Sequence, residues 1–360
     1  MRRVHVLCDR FTNQNTSAIL APLVRYRGAL RDCGIDVRLF LAEAPGLAEA
    51  DLIIVVDRYL LNRGPSTDVA EAIGHLTDRV GPVAYFDTGD SSGLVRSDIL
   101  PRVRGYVKPF VLRDRREYMR AHYGGRVFTD HYHRRHGVLD AEPQLSQPVT
   151  DDAHLARLHV GWSPAVYPYG RTGNRLAKLY RHLPLRALLC WPDQFQPPQR
   201  PRPNAVSCRI SARHSRETVV HQRKMVARAV QGRVATGPIP RRAYALELVE
   251  SRVVLSPFGW GEYAIRDYET FLAGAALLKP DMSHLETWPD LYQSGRTYLP
   301  IDWDLNSLGA ALEMAATRPD DCVALAVAGQ NCFRKHATDG AAFAEQVDRL
   351  VTALLATPRK

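Results

Sequence analysis
The first third of the chain alternates two hydrophobic patterns. The apolar run VHVLC (4–8) ends at Asp9 and is followed by Ile19, Leu20, Leu23, Tyr26 and Leu30, spaced as on one helix face over 17–33. Gly34 is a natural stop for that helix. DVRLFL, DLIIVVD (51–57) and PVAYFD (82–87) are further apolar runs, with a helical segment near 67–79 between the last two. Continuous apolar strands separated by helices predict a parallel sheet covered on both faces. RDRREYMRAHY (113–123) reads as another helix.

Between about Glu142 and Pro203 the alternation fades. WPDQFQPPQRPRPN carries Pro197, Pro198, Pro201 and Pro203, which forbid a helix and suit an extended connector. Alternation then resumes. AVSCRIS (205–211) reads as a strand, and Ser215 can cap a helix running to about Gln231. RVATG, RVVLSP, AALLKP and TYLPI read as strands, with helices over 240–250, 263–273, 304–317 and 319–335. The last segment (340–356) places Phe343, Val347, Leu350, Val351 and Leu354 on one face. The expected organisation is α/β with two Rossmann-like doubly wound domains, at 1–165 and 204–338. A Pro-rich connector (166–203) joins them, and a terminal helical segment (339–360) follows.

Composition narrows the class. A chain of 360 residues, 45% hydrophobic, can bury two cores, and no window approaches 18 uninterrupted apolar residues. The opening MRRVHVLCDRFTNQ lacks the apolar core of a signal peptide. Six cysteines (Cys8, Cys33, Cys190, Cys208, Cys322 and Cys332) form no C-x-x-C pair and predict buried free thiols in a reducing cytoplasm. The net charge of +10 is concentrated in two segments. From Arg102 to Arg135 ten Lys/Arg face three carboxylates, and from Arg200 to Arg242 eleven face Glu217 alone. Basic segments on an acidic remainder suggest anionic partners, or else a solvated basic face.

One stretch concentrates the candidate chemistry: SPFGWGEYAIRDYETFLAGAALLKPDM (256–282). Its loop falls at the carboxyl end of a strand, where open parallel sheets bind ligands. Gly259 and Gly261 flank Trp260, letting backbone approach a ligand. The following helix offers free N–H groups to a phosphate. Glu262 is next, Arg266 could pair with a diphosphate, and Glu269 could accept bonds from ribose hydroxyls. The same residues also read as a plain turn followed by a Glu262–Arg266 surface ion pair.

SPFGWGE, RDYE and KPDMSHLETWP resemble the C-terminal half of GT-B glycosyltransferases, of the exostosin-like and family-1-type bacterial kinds, over roughly residues 205–305. That resemblance implies an N-terminal acceptor-binding domain, a C-terminal nucleotide-sugar-binding domain and a terminal helix crossing back to the first. It implies transfer of a sugar from a nucleotide-diphosphate sugar to a glycan, lipid-linked or other small acceptor, with no cofactor. Arg209 and Arg213 become diphosphate ligands, Thr236 and Gly237 contacts to the base, and Asp281 and His284 contacts to the sugar. Glu269 takes the place of the second of two glutamates found in many retaining enzymes. The first falls at Gly261, one position before Glu262, so the retaining signature is broken.

An inverting transfer needs a carboxylate or histidine as base. YFDTGDSSG (85–93) offers Asp90, with Asp87 shaping the turn, and Asp9 is a second choice. No metal site is expected from His131, His133 and His136, and no DxD motif is present. The basic segment 102–136 suggests peripheral contact with an anionic membrane at its cytoplasmic face. Alternative readings are an epimerase of the same architecture or a basic nucleic-acid-binding protein. No helix-turn-helix, RRM or zinc motif favours the latter, and no specific nucleic acid is expected.

Overall fold
The computed structural model describes residues 1–9, 11, 14–64, 68–164, 176, 179–189, 194–211 and 213–357. In chain order its strands are β1 (Arg2–Leu7), β2 (Ile35–Phe40), β3 (Leu52–Val56), β4 (Val83–Phe86), β5 (Gly105–Lys108), β6 (Phe110–Leu112), β7 (Leu158–Val160), β8 (Asn204–Ser207), β9 (Ser251–Leu255), β10 (Ala276–Pro280), β11 (Leu285–Thr287) and β12 (Leu299–Ile301). A six-stranded sheet has the order β2-β1-β3-β4-β5-β7, with every pairing parallel. A four-stranded sheet has the order β12-β10-β9-β8, again wholly parallel. The fold is therefore α/β with two doubly wound halves.

The apolar runs explain the layering. All five residues of β3 are buried. Leu52, Ile54 and Val56 face one core, and Ile53 and Val55 the other, because side chains alternate along a strand. The first of these cores is closed by the terminal helix Gly340–Ala356. Its Phe343, Val347, Leu350, Val351 and Leu354 are buried against Val4, Val6, Val107 and Trp162 of the N-terminal half. Each such side chain contributes roughly 1.5–3 kcal/mol by leaving water. Polar ties fix the helix in place: Gln346 Nε2 donates to Gly161 O (3.0 Å) and Arg2 pairs with Asp348, while Tyr26 Oη donates to Ala337 O (2.6 Å) at the end of the preceding helix, Pro319–Thr338.

The two halves meet along a seam. β6 leaves the first sheet and pairs antiparallel with β11 of the second half. Asp140 accepts from the N–H and hydroxyl of Thr218 (2.9 and 2.8 Å) at the start of helix Glu217–Ala229. Phe110 meets Tyr263, and Phe128 meets Phe258, with centroids 4.6 and 4.8 Å apart.

Several sequence expectations need correction. Residues 113–123 hold a short 3₁₀ turn, Arg115–Met119, in place of a helix. Tyr118 is drawn into the core, donating to Ser92 O (2.9 Å), and the N–H groups of His122 and Tyr123 go to Ser146 Oγ and Asp130 Oδ1. The helix of this region is Val127–His136, with Phe128, Thr129 and Tyr132 inward and Gly137 left-handed at its end (φ 66°). RVATG forms no strand: Arg233 and Val234 donate back to Val230 O in the turn that ends helix Glu217–Ala229. That helix starts at Glu217 behind Arg216, not at a Ser215 cap. Cys33 is exposed, while Cys8, Cys208 and Cys322 are buried, and these are free thiols with Cys332. Cys190 and part of the expected connector, within 165–175, 177–178 and 190–193, lie outside the described residues. Among the described residues no helix is long and apolar enough to cross a membrane.

Candidate functional site
The two loops singled out in the sequence lie against each other across the seam. A Cβ on Gly261 would fall 2.3 Å from Asp90 O, so the Gly-rich loop fits over Asp90 only with glycine at that position. Beside this contact Ser92 donates its hydroxyl to Glu262. Trp260 stands at the rim, 38% exposed, with the guanidinium groups of Arg126 and Arg216 each 4.7 Å from its ring and the His214 ring at 4.8 Å.

The carboxylates are in unlike settings. Asp87 follows β4 and is nearly buried. Its Oδ2 accepts from Lys108 Nζ and Tyr106 Oη, both at 2.7 Å, and its Oδ1 from Gly89 N–H. Burial opposes its charge, but Lys108 and these bonds outweigh burial and hold it below the ordinary aspartate range. Asp90, half-buried, accepts from Asn15 Nδ2 at 2.8 Å. Burial raises its pKa, against the pull of Arg126 and Asn15. Glu262 is wholly buried. Its pKa too is raised by burial, and Oε2 lacks a hydrogen-bond partner. Asp9 is buried at the end of β1. Asp57, starting the short helix after β3, is pushed up to about 6 by burial and by the charge of Asp87.

On the other side of the seam, the loop Ser256–Glu262 rests on a buried ion pair, Lys279–Asp267 (3.1 Å), both side chains fully enclosed. Asp267 also accepts from Ser256 Oγ (2.5 Å), Tyr292 Oη (2.8 Å) and Ala264 N–H (3.1 Å). Arg266 ties this loop to its neighbours, donating to Ser256 Oγ, Arg209 O and Pro257 O. Arg209 is held by Glu247 through bonds of 2.6 and 3.0 Å. These two arginines therefore have protein oxygens on their forks, whereas Arg213 is exposed to solvent. Glu269 is half-buried and its pKa is raised by burial.

Thr236 and Gly237 do not lie at a strand end. Thr236 is exposed in the turn before Pro238, and Gly237 has φ 96°. Asp281 accepts from Ser283 N–H and from Tyr298 Oη (3.3 Å). His284 lies against Trp303 (5.1 Å), and burial lowers its pKa to about 4, so it is a neutral imidazole near pH 7. Cavities of about 460 and 500 Å³ lie beside Pro198–Pro203 and beside the edge strand β8, and are not lined by Asp90, Gly261 or Glu262.

The sequence reading missed Asn15, Ser92, Arg126 and Arg216. Ser92 lies in the YFDTGDSSG stretch but was given no role there, and only folding brings it and the other three to the Gly-rich loop.

No protein-family model matches the chain, and no curated protein matches it in sequence. Solved structures do align over nearly its full length. Anabaena HepE in complex with UDP-glucose aligns with 98% of this chain and 100% of its own, at 10% identity and a TM-score of 0.44. Sucrose-phosphate synthase from Thermosynechococcus elongatus covers 99% and 100%, at 12% identity and 0.46. The T4 phage β-glucosyltransferase covers 98% and 99%, at 12% identity and 0.42. Likenesses this distant leave the functional reading to stand on the chain's own residues.

Proposed function
We propose that the protein is a metal-independent glycosyltransferase that moves a sugar from a nucleotide-diphosphate sugar to a hydroxyl acceptor on a glycan or lipid-linked molecule, with inversion. The observation that carries this reading is the contact of Asp90 with Gly261. Asp90, whose carboxyl pKa is raised by burial and which is still reachable, lies with its backbone carbonyl against the loop best suited to a phosphorylated donor. The cations around Trp260 suit an anionic leaving group. In the reaction, Asp90 takes the proton of the acceptor hydroxyl while its oxygen bonds to the anomeric carbon. The bond from that carbon to the diphosphate oxygen breaks, and the charge released is met by Arg126, Arg213, Arg216 and the N–H groups opening helix Ile265–Ala273. Glu262 is too enclosed to meet an acceptor, and its part is to hold the loop through Ser92.

Arg266 and Glu269 are then donor-side residues, Arg266 acting from beneath the loop. Asp281 and His284 are proposed to edge the sugar. Contact of 102–136 with an anionic membrane is a further part of this proposal. Eight of its ten basic side chains are already bonded or enclosed: Arg104, Lys108, Arg113, Arg115, Arg120, Arg126, Arg134 and Arg135.

The test is a thermal-shift panel with UDP, GDP, CMP, their sugar conjugates and a short DNA duplex. A nucleoside diphosphate or its sugar conjugate should raise the melting temperature. A shift with DNA alone would overturn the reading. For the active pair, NMR of the product's anomeric configuration decides between inversion and retention.

A further inference from the structure
The geometry points to a divalent metal site, of the kind that takes zinc, built from His131, His136 and Asp304 across the seam between the two halves. It lies apart from the Asp90–Gly261 contact and does not depend on the glycosyltransferase reading. His131 and His136 belong to helix Val127–His136 of the N-terminal half, and Asp304 belongs to the loop after β12 in the C-terminal half. One ligating atom from each comes within 4.8 Å of the other two. His131 Nε2 and His136 Nε2 both converge on the same oxygen, Asp304 Oδ1, at 3.0 and 2.9 Å.

A tetrahedral ion with bonds of about 2.1 Å separates its ligand atoms by about 3.4 Å. Each imidazole Nε2 stands a few tenths of an ångström closer to Asp304 Oδ1 than that, and the two ring nitrogens lie within 4.8 Å of each other, so side-chain adjustment at the two histidines admits the ion. Two imidazoles and one carboxylate are a donor set for zinc. Magnesium and calcium prefer all-oxygen sites. Three protein ligands leave a fourth position for water.

Both supports are rigid. Tyr132, between the two histidines, donates to Trp303 O at 2.8 Å and accepts from Gln222 Nε2 at 2.6 Å. The Asp304 loop is closed by Asp302, which accepts from Asn306 N–H (3.0 Å) and Ser307 N–H (2.6 Å). Held groups that already share one focus lose little freedom on binding an ion. Arg135, with its Nε 3.6 Å from Asp304 Oδ2, offsets the carboxylate's charge from the side facing away from the imidazoles' shared oxygen. A metal here would staple helix Val127–His136 to the β12 loop and so stiffen the seam.

Untagged full-length protein, stripped with chelator, is to be titrated with zinc chloride and separately with cobalt(II) chloride. One zinc per chain is expected, with a rise in melting temperature. Cobalt(II) should give the intense visible absorption of a four-coordinate ion. His131→Ala and His136→Ala should weaken zinc binding by roughly 100-fold, the upper end of what loss of even an outer partner costs. His133→Ala should leave binding unchanged, because that ring donates from Nδ1 to Val138 O and stacks on Tyr123, away from Asp304. Should the alanine variants fail to fold by circular dichroism, the wild-type cobalt spectrum decides. An octahedral spectrum, no stoichiometric zinc, or equal binding by folded His131 and His136 variants would overturn the site.

Discussion

Each half of the molecule buries a lysine–aspartate pair at the end of its sheet, and the two pairs have different company. Lys279 and Asp267 are both wholly enclosed, and the other groups around Asp267 are neutral donors from Ser256, Tyr292 and Ala264. Lys108 and Asp87 share their region with Asp57, on which the charge of Asp87 acts, and with Asp90 three residues on. Burial raises the pKa values of Asp57 and Asp90, and the charge of Asp87 adds to each. On the opposite side of the Gly261 contact, guanidinium groups crowd Trp260. The same buried pair thus leaves negative charge in excess on one side of the seam, where a proton acceptor is useful, and serves on the other as a neutral footing for a loop.

The sharpest way to break this comparison is at Asp90. Asp90→Asn should lower turnover by about 10²–10⁴-fold while sugar-nucleotide binding persists. Because burial raises the Asp90 pKa, the acid limb of the rate profile should lie above the ordinary aspartate range, and rate should rise with pH through it. A variant with near-normal turnover removes Asp90 as base.

Next in size is the unequal cost of losing each lysine. Lys279→Met leaves Asp267 enclosed and uncompensated, at about 3–5 kcal/mol of stability by urea unfolding. Lys108→Met should cost less, because the Asp87 side chain keeps 15% exposure to water whereas Asp267 has none. Equal losses would show the two pairs to be alike after all.

Asp57 sharpens the point about surplus charge. Its folded pKa of about 6 lies above the ordinary 3.8, so its contribution to stability is full below about pH 4 and is lost as pH rises through 6. Asp57→Asn keeps the Oδ1 acceptor used by Thr88 and Arg58 N–H. It should flatten stability over that window and gain about 1–3 kcal/mol at pH 7.5. Melting curves at pH 4.5 and 7.5 check this, and an unchanged slope would count against it.

On the donor side, Arg266→Ala and Glu269→Ala should each weaken nucleotide binding by about 1–3 kcal/mol in calorimetry. Arg266→Ala should also lower the melting temperature, since its guanidinium ties three loop oxygens. The smallest effect concerns the basic segment 102–136. Each free Lys/Arg near an anionic leaflet is worth about 1 kcal/mol, and few here are free. Liposome flotation at low salt should show a weak preference for anionic over neutral vesicles, and none would end the membrane proposal.

The architecture was largely legible because parallel strands buried on both faces leave an unmistakable mark, as in DLIIVVD and AALLKP. The end of helix Ile265–Ala273 was legible too. Gly274 is left-handed (φ 69°), and a Cβ there would press on Gln196 O at 2.4 Å. Local signals failed where tertiary contacts outweighed them. Residues 113–123 have helical composition, but buried Tyr118 and the N–H partners of His122 and Tyr123 pull the chain out of a helix. RVATG has β-branched residues, but the N–H groups of Arg233 and Val234 are taken by Val230 O in the turn that ends the preceding helix. The pairing of Ser92 with Glu262 spans 170 positions, and no spacing rule reaches that far.

The terminal helix has a consequence in time. The core under β1 and β3 lacks one wall until Phe343 to Leu354 arrive. At 5–20 residues per second, these emerge roughly 10–40 s after β7 has been synthesised. During synthesis the N-terminal half must therefore wait, with apolar surface uncovered, while the whole C-terminal half is made and folds. The second half is topologically an insertion into the first, and a nascent chain stalled before residue 340 should be a client for chaperones even though its larger sheet is already complete in sequence.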